Sequence, residues 1–378
     1  VVGTAGTCGT GFAVDWLVDI TQEILLERGE VLKVAIIKSD QNPKYLLESY
    51  NDGKIMPLEP ATSVGKDPFK ECSNIVALAG AEQIRKAIST GADIIIAGRT
   101  SDAAIIAALP LEKGCHEGAS WHGGKIGECG ALCATNPQTG VVVIEFDSEG
   151  FTVSPMSKKS RATPETVFSH MLYENIDPFV LKEPGGWLDV TNANYKALDT
   201  RRVRVTGSKW VPEKDYRVKL EGARCIGFQK VLLSLVRDTR YINNIKIWTE
   251  DIEIKCTKKI FEQLKLKVSA YSIDIRLIGQ NASLGNLEFG SKLPNEIGVM
   301  AIITAPTEHL ADEISKMLNP FLLHHPLTSE EEQPTFAFPF SPADLNRGSV
   351  YEFCLNHLLQ IEEPMSVFSL ETREMGNA

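Results

Sequence analysis

The chain has 378 residues, of which 43% are hydrophobic and 23% are charged, as in ordinary globular proteins. Its net charge is -10, its isoelectric point is about 5.4, and lysine and arginine form no dense cluster, which argues against nucleic acid or an anionic membrane as the main partner. No apolar run has the length of a membrane span and the chain does not start with a signal segment, so we expect a soluble, cytoplasmic protein.

The first predicted element is a glycine-rich loop between the end of a strand and a helix. The loop, Gly3–Gly11, contains four glycines, and the apolar spacing of Phe12–Arg28 predicts a helix. Unpaired N–H groups at a helix start can receive an anion. The loop lacks the lysine of a P-loop and the glycine spacing of a dinucleotide site. Two interpretations of the loop stay open. It contacts a ligand through Gly6, Gly9 and Gly11, or it only packs the strand closely against the helix.

Strands and helices alternate through the first third of the chain. Leu32–Ile37 and Asp93–Gly98 are short apolar runs typical of buried strands, and helices are predicted at Ser73–Thr90 and from Ala103. Strands separated by helices predict a parallel, doubly wound sheet. We therefore assign residues 1–139 to an α/β ligand-binding domain, and the abrupt start of the sequence leads us to expect further residues before it.

Three polar segments follow the predicted parallel strands. They are the glycine loop, the pair Ser39-Asp40, and Arg99-Thr-Ser-Asp102. Because ligands of open α/β sheets bind beyond the carboxyl ends of the strands, we expect these segments to meet at one site. Asp40 also stands where a ribose-binding acid of a dinucleotide site would be.

From about residue 140 the pattern changes to shorter, recurrent strands. Val141–Val153 predicts a hairpin that turns at Ser148–Gly150. Further strands are predicted at Arg202–Thr206, Tyr216–Glu221, Tyr271–Ile278 and Ile297–Thr304, and helices at Pro164–Tyr173, Gln229–Leu235 and Glu308–Leu323. We assign residues 140–378 to an α+β domain, for which a ferredoxin-like arrangement is one candidate.

Arg99 and its neighbours are the first candidates for chemistry. Arginine offers a planar, two-pronged donor to a carboxylate or phosphate, and Asp102 could orient Arg99 or act as a base. Ser101 lies between them and, like Asp102, can begin the following helix. The alternative is structural, with Asp102 as a helix cap and Arg99 as its surface partner. The position after a strand favours binding.

A second group of candidates lies at offsets of three and four residues. If Trp121–Cys133 is helical, His122, Lys125 and Cys129 share one side, with Glu128 beside Lys125. Such a face supplies a proton carrier, a positive charge and a carboxylate, with His122 and Glu128 as the best acid–base pair. The glycines at 123, 124, 127 and 130 weaken a helix, so a tightly packed structural segment is an equal alternative.

The eight cysteines are scattered, which suits reduced thiols better than a disulfide framework. Cys115, His116, His122, Cys129 and Cys133 are near one another in sequence but lack the C-x-x-C pairs of structural zinc, so no metal site is predicted. Cys8 and Cys129 are alternative nucleophiles in small-residue loops. The sequence does not identify a cofactor.

A series of motifs occurs in consistent order along nearly the whole chain. It comprises Gly3-Thr-Ala-Gly6 with Val14-Asp15-Trp16, Ala97-Gly-Arg-Thr-Ser-Asp102, Trp121-His122 with Lys125-Ile-Gly-Glu-Cys-Gly-Ala131, Leu172-Tyr-Glu-Asn175, Leu198–Ser208, Lys219-Leu-Glu-Gly222, Thr304-Ala-Pro-Thr307, Ala337–Asp344 and Val350-Tyr-Glu-Phe353. By these motifs the chain resembles the acyclic terpene utilisation family typified by the AtuA protein, formerly a family of unknown function.

The resemblance implies a catabolic protein that acts on an acyl-CoA or a small carboxylate. The founding member is associated with breakdown of citronellol and geraniol through CoA thioesters. We expect a lyase or hydratase in which Arg99 and Lys125 hold an anionic group, the glycine loop and Ser101 contribute to substrate binding, and His122, Glu128 and Asp102 handle the proton. A non-catalytic subunit that needs a separate partner, or a nucleotide-binding dehydrogenase, are alternatives. We also expect a homo-oligomer.

Overall fold

The structure is a computed structural model of the chain, and it describes residues 1–6, 8–60, 69–173, 175–289 and 293–376. Two compact units are present, one of Val1–Arg224 with Phe353–Ala378 and one of Cys225–Glu352. The predicted boundary between residues 139 and 140 lies inside the first unit. Thr7 of the glycine loop and Glu174 of the Leu172–Asn175 motif lie outside the described residues.

The first unit begins with alternating strands and helices and continues with short strands. Its strands are, in chain order, β1 (Val2–Thr4), β2 (Leu32–Lys38), β3 (Ile55–Pro57), β4 (Asn74–Ala77), β5 (Ile94–Ala97), β6 (Val142–Phe146), β7 (Gly150–Pro155), β8 (Val180–Glu183), β9 (Gly186–Asp189), β10 (Asn194–Ala197), β11 (Val203–Thr206) and β12 (Lys209–Pro212). Its helices are α1 (Gly11–Arg28), α2 (Pro43–Asn51), α3 (Ala81–Ile88), α4 (Asp102–Glu112), α5 (Glu117–Gly127) and α6 (Pro164–His170).

Two long strands contain residues of both units, and the remaining elements of the second unit lie between these strands in the sequence. These strands are β13 (Arg217–Val236) and β16 (Asp344–Gln360). The other elements of the second unit are α7 (Thr239–Asn243), α8 (Ile245–Leu264), β14 (Ser272–Ile278), β15 (Ile297–Ala305) and α9 (Glu308–His324). The final strand, β17 (Ser369–Met375), belongs to the first unit.

The first unit contains a four-stranded sheet of order β1-β5-β2-β17, made of three strands from the start of the chain and one from its end. β1 and β2 both pair in parallel with β5, and β17 pairs antiparallel with β2. The three parallel strands therefore end at one edge, and the segments that follow them emerge side by side. A mixed α/β chain with parallel and antiparallel sheets is thus confirmed, whereas the doubly wound and ferredoxin-like arrangements stay predictions.

Local signals in the sequence explain where the first helix begins and ends. The Thr10 hydroxyl accepts a hydrogen bond from the Ala13 N–H at 3.4 Å, as an N-cap residue does. Gly29 follows the helix with a φ of 62°, a left-handed conformation that favours glycine. Because β2 begins three residues later, the loop between them is short and the helix packs directly on the sheet.

Two further sheets in the first unit are antiparallel. One has the order β10-β11-β7-β6 and the other the order β12-β9-β8. The hairpin predicted at Val141–Val153 is confirmed as β6 and β7, in which Phe146 pairs with Phe151. Apolar residues of these strands, such as Val153, Leu188 and Val205, join one hydrophobic core with α3, α4 and α5.

Two predicted helices are corrected by the structure. The segment Ser73–Thr90 is β4 followed by the shorter α3, and Gln229–Leu235 lies within β13. In β13 the buried residues Lys230, Leu232 and Ser234 alternate with less buried neighbours, which is the period of a strand. Its pairing with β15 stabilises the extended form, so tertiary contacts override a run that contains good helix formers.

The second unit has its own core. There β13 pairs with β15, and β15 with β14, all antiparallel. Helices α8 and α9 contribute Trp248, Ile252, Ile314 and Leu318 to the cluster of buried residues. In the part of the chain that the structure describes, no helix combines the length and apolarity needed to cross a bilayer.

Candidate active site

The structure brings together the three segments that follow the parallel strands. The Arg99 N–H donates to the Gly9 carbonyl at 3.1 Å, and the Ser39 hydroxyl donates to the Arg99 carbonyl at 3.1 Å. The Gly11 N–H donates to the Asp40 carboxylate at 2.9 Å. These backbone contacts fix the glycine loop, the end of β2 and the end of β5 against one another.

The glycines of the loop serve close contact within the chain. Gly9 has a φ of +59°, and a Cβ at this position would lie 2.2 Å from the Arg99 nitrogen. A Cβ at Gly11 would lie 2.6 Å from an Asp40 oxygen. Gly6 is exposed and has a φ of +65°. The observed geometry therefore accords with strand-to-helix packing, and the anion at the start of α1 is the Asp40 carboxylate.

Arg99 forms an ion pair at this edge of the sheet. Its Nε lies 2.7 Å from the Glu221 carboxylate, and the other Glu221 oxygen lies 2.7 Å from Lys219 Nζ. Burial alone would raise the pKa of Glu221, but the hydrogen bonds from the two cations hold that pKa below its usual value. The Arg99 side chain is 27% exposed. Among the described residues, its two terminal guanidinium nitrogens make no hydrogen bond.

Ser101 and Asp102 start helix α4 beside Arg99. The Ser101 hydroxyl accepts a hydrogen bond from the Ala104 N–H at 3.3 Å, so Ser101 is the N-cap residue and Asp102 is in the first turn. The Asp102 carboxylate is near enough to Arg99 to favour its charged form. Asp102 itself is exposed. Of the two residues predicted as possible caps, Ser101 is the cap in the structure, and Asp102 is exposed beside the guanidinium.

Glu183 is a functional candidate that the sequence did not indicate. It ends β8, and burial raises its pKa to about 7 despite a hydrogen bond with Ser101. The negative charges of Glu128 and Asp102 raise this pKa further, and Lys125 lowers it. A carboxyl group with such a pKa is present in both protonation states at neutral pH. The short strand β8 was not predicted, so nothing placed Glu183 beside α4.

Glu183 also lines a cavity of about 100 Å³. Polar and charged residues of the wall include Lys182, Glu213, Arg217 and Lys219, and the apolar residues include Leu58, Leu78 and Leu358. Glu221 connects Lys219 to Arg99 through its two ion pairs. We refer to Arg99, Ser101, Asp102, Glu183, Lys219 and Glu221 as the Arg99 rim.

His122 occupies a different environment from the one predicted. It is fully buried on α5, with Nδ1 2.7 Å from the Ser208 hydroxyl and Nε2 3.2 Å from the Tyr195 hydroxyl. Burial lowers its pKa to about 3, so the ring is neutral at physiological pH. Because both nitrogens are engaged, the ring has none free to exchange a proton. We call His122, Tyr195 and Ser208 the His122 cluster.

Lys125 and Glu128 form a mostly buried ion pair near the end of α5. The helix predicted at Trp121–Cys133 starts earlier, at Glu117, ends at Gly127, and is followed by a 3-10 turn at Gly130–Cys133. A Cβ at Gly124 would lie 2.4 Å from the Ala103 carbonyl oxygen, so this glycine allows α5 to pack closely on α4. The structural interpretation thus accounts for Gly124.

The cysteines and histidines of this segment do not form the sequence cluster that was considered. His116 Nδ1 accepts a hydrogen bond from the Ala119 N–H and caps α5. Cys133 is buried, and burial raises its pKa to about 11. Cys8 is exposed in the glycine loop. A metal could be held instead by Glu128 and Cys129 with His170, whose ligand atoms are close together.

Residues 1–339 match the family described as acyclic terpene utilisation family protein AtuA. Because the match covers most of the 378 residues, the chain belongs to this family, and the resemblance found in the sequence motifs is confirmed. No curated protein matches the chain, and no solved structure matches it.

Proposed function

We propose that this member of the acyclic terpene utilisation family is a catabolic enzyme that binds a small carboxylate or acyl-CoA and moves a proton on it, as a lyase or hydratase does. The observation that carries the proposal is the Arg99 guanidinium. Its Nε is held by Glu221, while its terminal nitrogens make no hydrogen bond among the described residues. A guanidinium oriented in this way presents two parallel donors to a carboxylate or phosphate oxygen pair.

The ion pairs of Glu221 support a binding role for Arg99. A buried carboxylate between two cations fixes the direction of the guanidinium, so less side-chain entropy is lost when an anion binds. Lys219 adds positive charge at the wall of the cavity. With Glu221 satisfied by two cations, the cluster of Arg99, Lys219 and Glu221 carries a net positive charge before the substrate arrives.

Glu183 is our candidate for the proton transfer, in place of His122 with Glu128. A general acid or base works best when its pKa is near the operating pH, and the pKa of Glu183 is about 7. Glu183 lines the cavity, and its carboxyl group is hydrogen-bonded by Ser101. As a carboxylate it can take a proton from a carbon beside the substrate carbonyl, and as an acid it can return one.

The size of the cavity favours a small reacting group. About 100 Å³ accommodates a few non-hydrogen atoms, whereas sites that enclose drug-sized ligands have about 300 to 1,000 Å³. A short carboxylate, or the reacting end of an acyl chain, fits this volume. For a thioester, the coenzyme would remain outside and only the acyl end would enter.

The proposal is tested by calorimetric titration of the protein with short carboxylates, dicarboxylates and their CoA thioesters. We expect one class to bind and Arg99→Met to weaken that binding about 10- to 100-fold, the value of one or two hydrogen bonds to a charged group. Arg85→Met is the matched control, since Arg85 Nε also lies 2.9 Å from a glutamate, Glu112. If no compound binds, or if both variants bind equally well, the proposed function is wrong.

The role of Glu183 has a separate readout once a ligand is known. Glu183→Gln should leave the Kd within about threefold and lower the turnover or proton-exchange rate about 100-fold or more. Glu213→Gln is the control, because Glu213 lines the same cavity and pairs with Arg217 at 3.7 Å. Unchanged turnover in Glu183→Gln would remove Glu183 from the mechanism while leaving the binding role of Arg99 standing.

A further inference from the structure

Glu128, Cys129 and His170 form a cluster outside the Arg99 rim. Glu128 and Cys129 follow α5, and His170 is the last residue of α6. One ligand atom from each residue lies within 4.8 Å of the other two. We propose that these three side chains bind a divalent transition-metal ion of the zinc class. The inference does not rest on the proposed function, since it involves neither Arg99 nor Glu183.

The state of His170 points to a ligand independently of the cluster. The side chain is only 4% exposed, and its Nε2 is buried without a hydrogen-bond partner among the described residues. The Lys125 backbone lies near the ring. An unsatisfied buried polar atom costs about 1 to 3 kcal/mol. A metal on Nε2 would remove that cost.

The same arrangement is the usual one for a metal-binding histidine. In such sites one ring nitrogen binds the metal, while the other donates to a carboxylate or a backbone carbonyl and so fixes the ring. Here the Lys125 backbone lies near the ring and is available for the second role. The stacked ring of Tyr173, with its centroid 5.8 Å from that of His170, further restricts the orientation of the imidazole.

The donor set selects the kind of metal. A thiolate, an imidazole and a carboxylate together suit Zn²⁺ and related borderline ions, whereas Mg²⁺ and Ca²⁺ prefer oxygen donors alone. For one sulfur, one nitrogen and one oxygen donor around tetrahedral zinc, the ligand atoms are about 3.3 to 3.6 Å apart. The observed separations are up to 4.8 Å, so small side-chain rotations would bring the three atoms to bonding distance.

One member of the cluster, His170, also lines a pocket. The pocket has a volume of about 420 Å³ and is lined by His170 together with Leu132, Glu165, Thr166, Ser169 and Tyr173. Three protein ligands leave the fourth position of a tetrahedral ion for water or a small molecule, as in catalytic rather than structural zinc sites. The pocket adjoins the cluster through His170.

Cobalt titration tests the inference, because Co²⁺ reports its ligands by absorption. The protein, first treated with a chelator, is titrated with Co²⁺ and then with Zn²⁺ as competitor. We expect a thiolate-to-cobalt band in the near ultraviolet and visible bands of tetrahedral strength, both removed by Zn²⁺. Without a thiolate band, or with visible bands of octahedral strength alone, the inference fails.

Matched variants locate the site. Cys129→Ala should abolish the thiolate band, and His170→Ala should weaken Co²⁺ binding about 100-fold or more. Cys133→Ala is the control, since Cys133 is a neighbouring buried thiol in the turn after Cys129. A band lost in Cys133→Ala but kept in Cys129→Ala would overturn the assignment.

A second measurement guards against loss of folding in the variants. If the site is real, Zn²⁺ raises the melting temperature of the wild-type protein and of Cys133→Ala, because a ligand that binds the native state stabilises it. The same Zn²⁺ should not stabilise a folded His170→Asn variant. Equal stabilisation of wild type and His170→Asn would contradict the proposal. Calorimetric binding of carboxylates at Arg99 is scored separately, so either proposal can fail alone.

Discussion

The His122 cluster and the Arg99 rim are both polar and both lie in the first unit, yet burial has opposite consequences in them. In the His122 cluster both imidazole nitrogens are satisfied by neutral hydroxyls, and the pKa of the ring falls to about 3. In the Arg99 rim, burial and nearby carboxylates raise the pKa of Glu183 to about 7. The first group is neutral over the whole physiological range, whereas the second changes charge within it.

The difference teaches that residue type alone does not identify an acid or base. Histidine titrates near neutrality when it is exposed, and glutamate does not. Desolvation penalises the charged form of each, so it moves histidine away from neutrality and glutamate toward it. A buried glutamate beside a cavity is therefore a better candidate than a buried histidine that has both nitrogens engaged.

The largest effect should come from removing the His122 ring. We expect His122→Ala to lower the free energy of unfolding by about 3 to 4 kcal/mol, since it leaves a cavity and removes the partner of a buried hydroxyl, on Ser208, and of a half-buried one, on Tyr195. Denaturant unfolding at pH 7 measures this loss. His116→Ala is the control, because it removes only a helix cap and should cost about 1 kcal/mol. Equal losses would mean that the His122 cluster is not rigidly packed.

The second prediction concerns acid and the same ring. The folded-state pKa of His122 is about 3, which is below the ordinary value of 6.5. Between pH 6.5 and pH 3, the unfolded chain therefore binds a proton that the folded chain excludes. The free energy of unfolding has its full value above pH 6.5. It decreases as the pH falls, by about 3 kcal/mol at pH 4. Wild type should therefore lose more stability than His122→Gln between pH 7 and pH 4. Parallel losses in the two proteins would contradict the assignment.

The outcome for these residues shows what sequence can and cannot predict. The meeting of the glycine loop, Asp40 and Arg99 follows from parallel strand ends, so a fold rule was enough to predict it. The partners of His122 come from positions 73 and 86 residues further along the chain. No local pattern encodes such contacts, and the ring was therefore predicted to be a proton carrier.

Glu183 shows the same limit from the opposite side. Its strand has four residues and no strong alternation, and its neighbours Ser101, Lys125 and Glu128 belong to other elements. The charge environment that shifts its pKa exists only after folding. Likewise, Gln229–Leu235 resembles a helix until its pairing with β15 is known. Elements with strong local signals, such as α1, were predicted correctly.

The third prediction concerns Glu183, whose effect on stability changes with pH in the opposite direction to that of His122. The folded-state pKa of Glu183 is raised from 4.5 to about 7, so its contribution to stability is full below pH 4.5 and is lost as the pH rises through 7. Glu183→Gln stays neutral throughout. When the pH is raised from 5 to 8, the free energy of unfolding of Glu183→Gln should rise by about 1 to 2 kcal/mol relative to wild type, with allowance for partial solvent screening. Thermal unfolding at both pH values measures this change. If Glu183→Gln instead becomes more stable relative to wild type when the pH is lowered, the prediction is wrong.

The smallest effect isolates one hydrogen bond of the His122 cluster. Tyr195→Phe removes the hydroxyl that lies 3.2 Å from His122 Nε2 and leaves the aromatic ring, so it should cost about 1 kcal/mol. Tyr45→Phe is the control, because Tyr45 is exposed and its hydroxyl makes no hydrogen bond among the described residues, and it should have almost no effect. If the cluster only preserves structure, Tyr195→Phe lowers stability while carboxylate binding at Arg99 is unchanged. Weakened binding together with unchanged stability would instead return His122 to the active site, because a hydroxyl that orients a proton carrier affects function more than folding.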